Sequence, residues 1–205
     1  MNHPENPVDE REPAIFRLDP KMTMLNMGLM GITSLFIGLT LAYLFSTTNW
    51  TWKQFSFPKL FLISALVLAA SSFSLHQAFK AYEASSESSL RNNLLITIGL
   101  SLVFVIVQIL GWQELQSVGI FIQGKPNGSF LYLISGLHAL HVLAGIIPLL
   151  IFYRKSNAEL KDPVKSLLFF STPSTRLQFR IIAKYWHFVD ILWIYLLIFF
   201  LLNHL

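Results

Sequence analysis

Residues 181–202, IIAKYWHFVDILWIYLLIFFLL, decide the fold of this chain. The segment has the length of a membrane-spanning helix, which needs about 20 predominantly apolar residues. It nevertheless carries Asp190 close to the expected midplane of the bilayer, where a charged side chain costs about 3 kcal/mol or more. The segment therefore predicts a transmembrane helix with a polar position turned toward other helices. We expect Asp190 to be paired with a histidine, a hydroxyl group or a bound water.

Four further apolar stretches of similar length precede this one. Over all 205 residues, 54% of the side chains are hydrophobic and 13% are charged, whereas about 25% are charged in an ordinary soluble domain. The sequence therefore predicts an all-α, polytopic membrane protein: a polar cytoplasmic tail at 1–21, then a bundle of five transmembrane helices within 22–205. The predicted spans are 22–45, 59–79, 93–112, 129–153 and 181–202.

The composition excludes several classes of site. The chain contains no cysteine, which rules out disulfides, thiolate zinc sites, iron–sulfur clusters and cysteine nucleophiles. The formal net charge is +4, but the basic residues lie between the apolar stretches and form no long run, so nucleic acid is not an expected partner. A metal or haem bound here would have to use histidine, carboxylate or methionine.

The basic residues also predict the orientation in the membrane. Twelve of the 15 lysines and arginines fall in the tail and in the second and fourth loops, while the first and third loops hold Lys53, Lys59 and Lys125. Since basic residues accumulate in short cytoplasmic loops, we expect the N-terminus in the cytoplasm and the C-terminus on the opposite, periplasmic side of the membrane. The expected outer aromatic belt consists of Trp50, Trp52, Trp112 and Phe130.

Four ionisable residues of the last two spans form the candidate site: His138, His141, His187 and Asp190. A metal or transport site would need several of them to converge, with further polar residues through the membrane. A type b haem would need facing histidines at one depth and room for a porphyrin, which the large side chains oppose. The spacing alone favours a third interpretation, a buried polar network that holds the two helices together.

A stripe of small residues runs along the first span. Gly31, Ser34, Gly38 and Ala42 recur at intervals of three and four, so they share one helix face. In lipid such faces allow two backbones to approach closely, and dispersion then supplies the association energy. The stripe predicts a helix-packing face, toward either another helix of this chain or a partner protein.

Two segments resemble a known family. YWHFVDILWIYL at 185–196 and GLHALHVLAGIIPL at 136–149 closely resemble the signature helices of subunit III of the haem–copper respiratory oxidases, whose patterns run YWHFVDxxW and G-F-H-G-x-H-V-x-x-G. A weaker correspondence at Ser71-Ser72 and at Gln108 with Trp112 extends the resemblance to about residues 20–204. Five spans correspond to the short prokaryotic form of the family.

The chain departs from the family at two polar positions. The family carries a glutamate in the first span of this form, within S-E-x-x-x-F, where this chain has Gly31 and Ile32. The third span often shows Q-x-x-E-W, where this chain has Leu110 and Gly111 before Trp112. These departures weaken any expectation of a proton relay through an internal carboxylate.

The resemblance implies an accessory role. Such a subunit binds no cofactor of its own and packs directly against subunit I, which holds haem and copper, in a complex with subunit II and small subunits. It supports proton uptake and protects the active site during turnover, and bound phospholipid is typical. A supercomplex with a quinol-oxidising complex is a further possible association. The candidate lipid head-group contacts are Arg91, Arg180 and Lys184.

Two alternatives remain open from the sequence. The first is an accessory subunit of a quinol oxidase or of a nitric oxide reductase, because the electron donor is selected by other subunits. The second is an independent metal or solute transporter that uses the buried histidines and Asp190. Whether the isolated chain is an enzyme is left open, since the chain offers no active site of its own.

Overall fold

A computed structural model of the protein describes residues 19–47, 59–123 and 126–204. The described residues form six α-helices, and they contain no strand. The six helices are α1 Pro20–Thr47, α2 Lys59–Glu83, α3 Glu87–Ser117, α4 Pro126–Glu159, α5 Pro163–Ser171 and α6 Pro173–His204. Most of the predicted tail, together with Trp50, Trp52, Lys53 and Lys125, lies outside the described residues.

Five of these helices are long and apolar enough to cross a membrane, and this confirms the predicted all-α fold with five spans. The helices extend beyond the predicted spans. The helix α4 has 34 residues, about 51 Å at 1.5 Å per residue, whereas the hydrocarbon core is about 30 Å thick. Helices α4 and α6 therefore project past the bilayer at the end where α5 lies.

Helices α2, α3, α4 and α6 form a closed four-helix bundle in which each helix packs against its two neighbours. Helix α1 packs on the outside of this bundle, against α4 and α6. Phe36 and Tyr43 of α1 are fully buried there. The hydroxyls of Thr40 and Tyr195 lie 2.9 Å apart, and Lys184 Nζ donates to Asn26 Oδ1 at 2.7 Å. A single face of α1 therefore joins the bundle.

The short helix α5 begins at a well-formed cap. The carboxylate of Asp162 accepts a hydrogen bond from the backbone N–H of Val164 at 2.9 Å, and Pro163 occupies the first turn, where its missing N–H costs nothing. The apolar run SLLFF at 166–170, which is too short to span a membrane, thus belongs to a separate helix between α4 and α6.

Helix α5 lies across the end of the four-helix bundle. The ring of Phe169 packs against Tyr82 of α2 and Phe152 of α4, each with its centroid 5.8 Å away. The Tyr82 hydroxyl donates to the Phe169 carbonyl at 3.2 Å, and Ser166 donates to the carboxylate of Glu87 in α3. These contacts close one end of the bundle.

Candidate functional site

Two hydrogen bonds from buried tryptophans join α6 to α2. Trp186 Nε1 donates to Ser71 Oγ, and Trp193 Nε1 donates to Ser64 Oγ, each at 3.1 Å. The two tryptophans are seven residues apart on α6, and the two serines are seven residues apart on α2. The residue numbers rise along α6 while they fall along α2, as expected for antiparallel helices. Both indole rings are 1% exposed, so these bonds satisfy N–H groups that could not reach water.

His187 and Asp190 lie between these two bonds. His187 Nδ1 is 2.6 Å from the hydroxyl of Ser72. Asp190, one turn farther along α6, is buried, and neither of its carboxyl oxygens has a hydrogen-bond partner among the described residues. Ser72 lies beside this carboxyl group, but its hydroxyl is bonded to the histidine. Of the three kinds of partner expected for Asp190, the hydroxyl is thus the one that the fold brings near.

His138 is packed as an aromatic ring. It is fully buried and stacks on Trp193 with centroids 4.7 Å apart and an interplanar angle of 23°. The edge of Phe104 closes another side at 5.8 Å. Neither ring nitrogen has a hydrogen-bond partner among the described residues. The imidazole therefore contributes here through ring packing between α3, α4 and α6.

His141 bonds within its own helix. Its Nδ1 is 2.7 Å from the Leu137 carbonyl, and the His141 carbonyl accepts a hydrogen bond from the Tyr185 hydroxyl at 3.0 Å. No described hydrogen bond connects any two of the four candidate residues. The described residues also contain no group of three histidine or acidic side chains placed to hold a metal ion. The candidate set is thus divided between α6 with Ser72 and the packed rings of α4.

Two polar residues of α3 complete the buried layer. Trp112 Nε1 donates to Ser135 Oγ on α4 at 3.0 Å. Gln108 is 1% exposed, and its amide atoms have no hydrogen-bond partner among the described residues. The sequence marked Gln108 and Trp112 by resemblance, but it could not show that the tryptophan bonds to α4.

A cleft of about 430 Å³ opens beside His187 on the surface of α6, between α1 and α2. Its lining residues are Met22, His76, Phe79, Arg180, Ala183, Lys184 and His187. Two of the three candidate head-group contacts, Arg180 and Lys184, thus share one cleft. Arg91 does not line it, and its Nη1 donates to Asn157 Oδ1 at 3.4 Å instead. The cleft combines basic side chains with apolar walls.

The small-residue stripe of α1 points away from the bundle. Gly31, Ser34 and Gly38 are exposed, and Ala42 is half-buried. A Cβ atom added at Gly31 or Gly38 would meet nothing within 4 Å. The sequence allowed two neighbours for the stripe, another helix of this chain or a partner protein. No described helix of this chain covers the stripe, so the described structure leaves this face open to a partner protein.

Close helix contacts that need glycine occur elsewhere. A Cβ atom at Gly145 of α4 would lie 2.9 Å from the Tyr185 ring and 3.0 Å from the Trp186 ring. At Gly111 of α3 it would lie 2.5 Å from the Phe61 ring. Gly145 lies within the signature segment of α4, so the sequence pointed to it. The spacing of small residues in α3 did not indicate a close contact at Gly111.

The profile of the family described as cytochrome c oxidase subunit III matches residues 48–203 of this chain. The chain belongs to this family. The match covers α2 to α6 almost completely, and it confirms the resemblance carried by the segments in α4 and α6. Helix α1 precedes the matched residues.

Individual relatives agree with the family assignment. The chain is 34% identical over 129 residues to the probable cytochrome c oxidase subunit 3 of Mycobacterium tuberculosis, covering 63% of this chain and 59% of the relative. It is 29% identical over 138 residues to the cytochrome c oxidase subunit 3 of Corynebacterium diphtheriae, covering 67% and 62%. The horse protein of the same name is 29% identical over 135 residues, covering 66% and 47%. The match thus spans about three fifths of the two bacterial relatives.

Proposed function

We propose that this chain is the non-catalytic subunit III of a proton-pumping haem–copper terminal oxidase in aerobic respiration. In this role it packs against subunit I, stabilises it and supports proton uptake, while subunit I reduces O2 to water. The observation that carries the proposal is that the signature residues of α4 and α6 make contacts between helices. His138 and Trp193 pack on each other, and Trp186 bonds to Ser71, so the residues typical of the family hold helices together.

Haem and copper belong to the partner subunits in this proposal, and the chain contributes a shaped surface. Subunit I is the direct partner, with subunit II and small subunits in the same complex. A supercomplex with a quinol-oxidising complex extends this set of partners. The same features of this chain fit a cytochrome c oxidase, a quinol oxidase or a nitric oxide reductase, because other subunits select the electron donor.

The outward stripe of α1 is the proposed contact with subunit I. Helices in lipid gain little from hydrophobic association, so close backbone contact at small residues must supply much of the energy. Gly31 and Gly38 have open space beyond them, and Ser34 bonds back to the Met30 carbonyl at 3.0 Å, which leaves no unmet polar group on the stripe. A partner helix can therefore approach the α1 backbone closely.

We expect Gly38→Leu to detach this chain from the oxidase without preventing its insertion into the membrane. The matched control is Gly99→Leu in α3, since Gly99 is also exposed with nothing within 4 Å of an added Cβ. The measurement is the amount of subunit I that co-purifies with each tagged variant. Normal recovery of subunit I with Gly38→Leu would contradict the proposed face.

The proposed location is a bacterial inner membrane, with the start of α1 on the cytoplasmic side. Among the described residues, Arg154, Lys155, Arg176 and Arg180 lie at the end of the bundle that α5 covers. This concentration supports the orientation, because basic residues are retained in the cytoplasm during insertion. Trp112 and Phe130, near the opposite end, are suited to the outer interface.

The basic cleft is the proposed phospholipid site. Arg180 and Lys184 offer charge for a phosphate group, and Met22 and Phe79 offer apolar surface for the start of an acyl chain. Lys184 is already held by Asn26, so its amine is positioned before a lipid binds. Arg91 would serve a separate head group, since it does not line this cleft.

The experiment that tests the proposed function is purification of the tagged chain from its native membrane in mild detergent. A reduced-minus-oxidised visible spectrum and mass spectrometry are recorded on the purified material. We expect haem absorbance together with a large oxidase subunit, and the haem type then identifies the class of oxidase. A colourless protein without partners, under conditions that keep other oxidases intact, would contradict the proposal and favour the transporter.

A further inference from the structure

The hydroxyl group of Ser72 lies between an open cleft and a buried carboxyl group. On one side, His187 Nδ1 is 2.6 Å from Ser72 Oγ, and His187 lines the cleft beside α6. On the other side, Ser72 lies beside Asp190. The Asp190 side chain is 5% exposed, and its oxygens have no hydrogen-bond partner among the described residues. The carboxyl group is thus shielded from water, but only two side chains separate it from the cleft.

A serine hydroxyl carries a single hydrogen, so it donates in one direction at a time. If Ser72 donates to His187 Nδ1, it can only accept from Asp190, whose carboxyl group must then carry a proton. If Ser72 donates to Asp190 instead, it must accept from the Nδ1–H group of His187, and the carboxyl group can be ionised. The two arrangements use the same heavy atoms and differ only in the direction of the two hydrogen bonds.

We propose that Asp190 takes up a proton from the cleft through His187 and Ser72. In the starting arrangement, His187 carries its hydrogen on Nδ1 and the carboxyl group is ionised. A proton from water in the cleft binds to His187 Nε2, the Nδ1 proton moves to Ser72 Oγ, and the hydroxyl proton of Ser72 moves to Asp190. One proton has then left the cleft and one has arrived on the carboxyl group, while no bond between heavy atoms has changed.

The surroundings of His187 suit this transfer. Its two ring nitrogens point in different directions, so contact of Nδ1 with Ser72 leaves Nε2 for the cleft. The other titratable or charged residues described in the lining are His76 of α2 and Arg180 and Lys184 of α6, and α1 contributes none. A lasting positive charge on His187 would be unfavourable beside these basic groups. The transfer requires none, because the imidazole is neutral before and after it.

The path ends at Asp190. Among the described residues, its carboxyl oxygens have no hydrogen-bond partner that could pass the proton onward, so the proton must return through Ser72 and His187. Asp190 therefore stores one proton and is not a step in a longer relay. This inference goes beyond the proposed function, which assigns no proton-binding residue to this chain, and it does not depend on the identity of the oxidase.

The test follows the carboxyl group by infrared spectroscopy of the purified full chain in mild detergent. The C=O stretching band of a protonated carboxyl group shifts when its proton is replaced by deuterium, and the band that Asp190→Asn removes belongs to Asp190. The rate of this shift is measured after transfer to D2O, and it should be fast in the unmodified chain. Ser72→Ala should slow the shift about tenfold or more, because exchange must then wait for local opening of the contact between α2 and α6.

The matched control is Ser74→Ala on the same helix, since Ser74 Oγ donates to the Asn93 carbonyl at 2.9 Å and lies outside the path. It should leave the exchange rate unchanged, and Ser72→Thr, which keeps a hydroxyl group, should retain fast exchange. His187→Phe should slow exchange as Ser72→Ala does, and it keeps the test valid if that variant fails to fold. Unchanged exchange in either of these two variants would overturn the proposal. So would the lack of an Asp190 band at every pH at which the chain stays folded, because the carboxyl group would then never hold a proton.

Discussion

The contact at Gly145 allows the packing of the two signature helices to be tested with one methyl group. In Gly145→Ala the new Cβ would lie 2.9 Å from the Tyr185 ring and 3.0 Å from the Trp186 ring. Neither ring can move away freely. The Tyr185 hydroxyl is bonded to the His141 carbonyl, and Trp186 is 1% exposed and bonded to Ser71. The methyl group must therefore separate α4 from α6 or break one of these hydrogen bonds.

The magnitude follows from two opposing effects. Overpacking a tight contact costs about 1–3 kcal/mol, while replacing glycine by alanine inside a helix gains about 1 kcal/mol. The control is Gly136→Ala on the same helix, where the added Cβ would lie 3.8 Å from the Trp112 ring, an ordinary contact. The control variant gains the same helix stability from alanine but does not overpack a contact. We therefore expect Gly145→Ala to be less stable than Gly136→Ala by about 1–3 kcal/mol.

The assay is unfolding of the purified chain in mild detergent, with the buried tryptophans as fluorescent reporters during a titration with a denaturing detergent. Both variants are compared with the unmodified chain for the midpoint and for the free energy of unfolding. Equal stability of the two variants would refute the reasoning, because the contact between α4 and α6 would then be loose enough to accept a methyl group.

Further predictions concern the polar groups between α2 and α6. Asp190→Asn should retain assembly better than Asp190→Leu, because the amide keeps the planar shape and the polar atoms of the buried carboxyl group, whereas leucine removes both; equal loss of subunit I co-purification in both would show that the charge itself is required. Asp190→Asn with normal assembly but reduced proton pumping would indicate a functional carboxyl group. Ser64→Ala and Ser71→Ala each leave one indole N–H without an acceptor, at a cost of about 1 kcal/mol. Since the two bonds are two helical turns apart, the losses should add in the double variant, and a strongly non-additive free energy of unfolding would contradict independent bonds.

Span number and helix class were predictable because the bilayer fixes both. Hydropathy measures how much of a helix lies in lipid, so the prediction ended the fourth span at 153, while α4 continues to Glu159. It likewise began the last span at 181, although α6 begins at Pro173. These extensions lie beyond the hydrocarbon, where helices need not be apolar, and a hydropathy window has no reason to include them.

The contacts at the candidate site were less accessible from sequence. One chain shows that Trp186 and Ser71 are present, but not that they lie together, since helix pairing depends on the whole bundle. The four ionisable residues were grouped by proximity in sequence and by helix, whereas the structure pairs His187 with Ser72 and surrounds His138 with rings. The stripe of α1 follows from the spacing of its small residues, but only the structure shows that this face is open.

The position of α1 outside the closed bundle has a consequence for biogenesis. This helix is synthesised before α4 and α6, yet these two helices form its docking surface, and α6 is completed roughly 150 residues later. At 5–20 residues per second, the interval is about 8–30 s. During this time α1 must wait in the membrane with its docking face and its outward glycines both uncovered. The rate of translation thus sets a period in which a chaperone or an assembly factor can reach the docking face of α1. In the finished subunit, α4 and α6 cover this face.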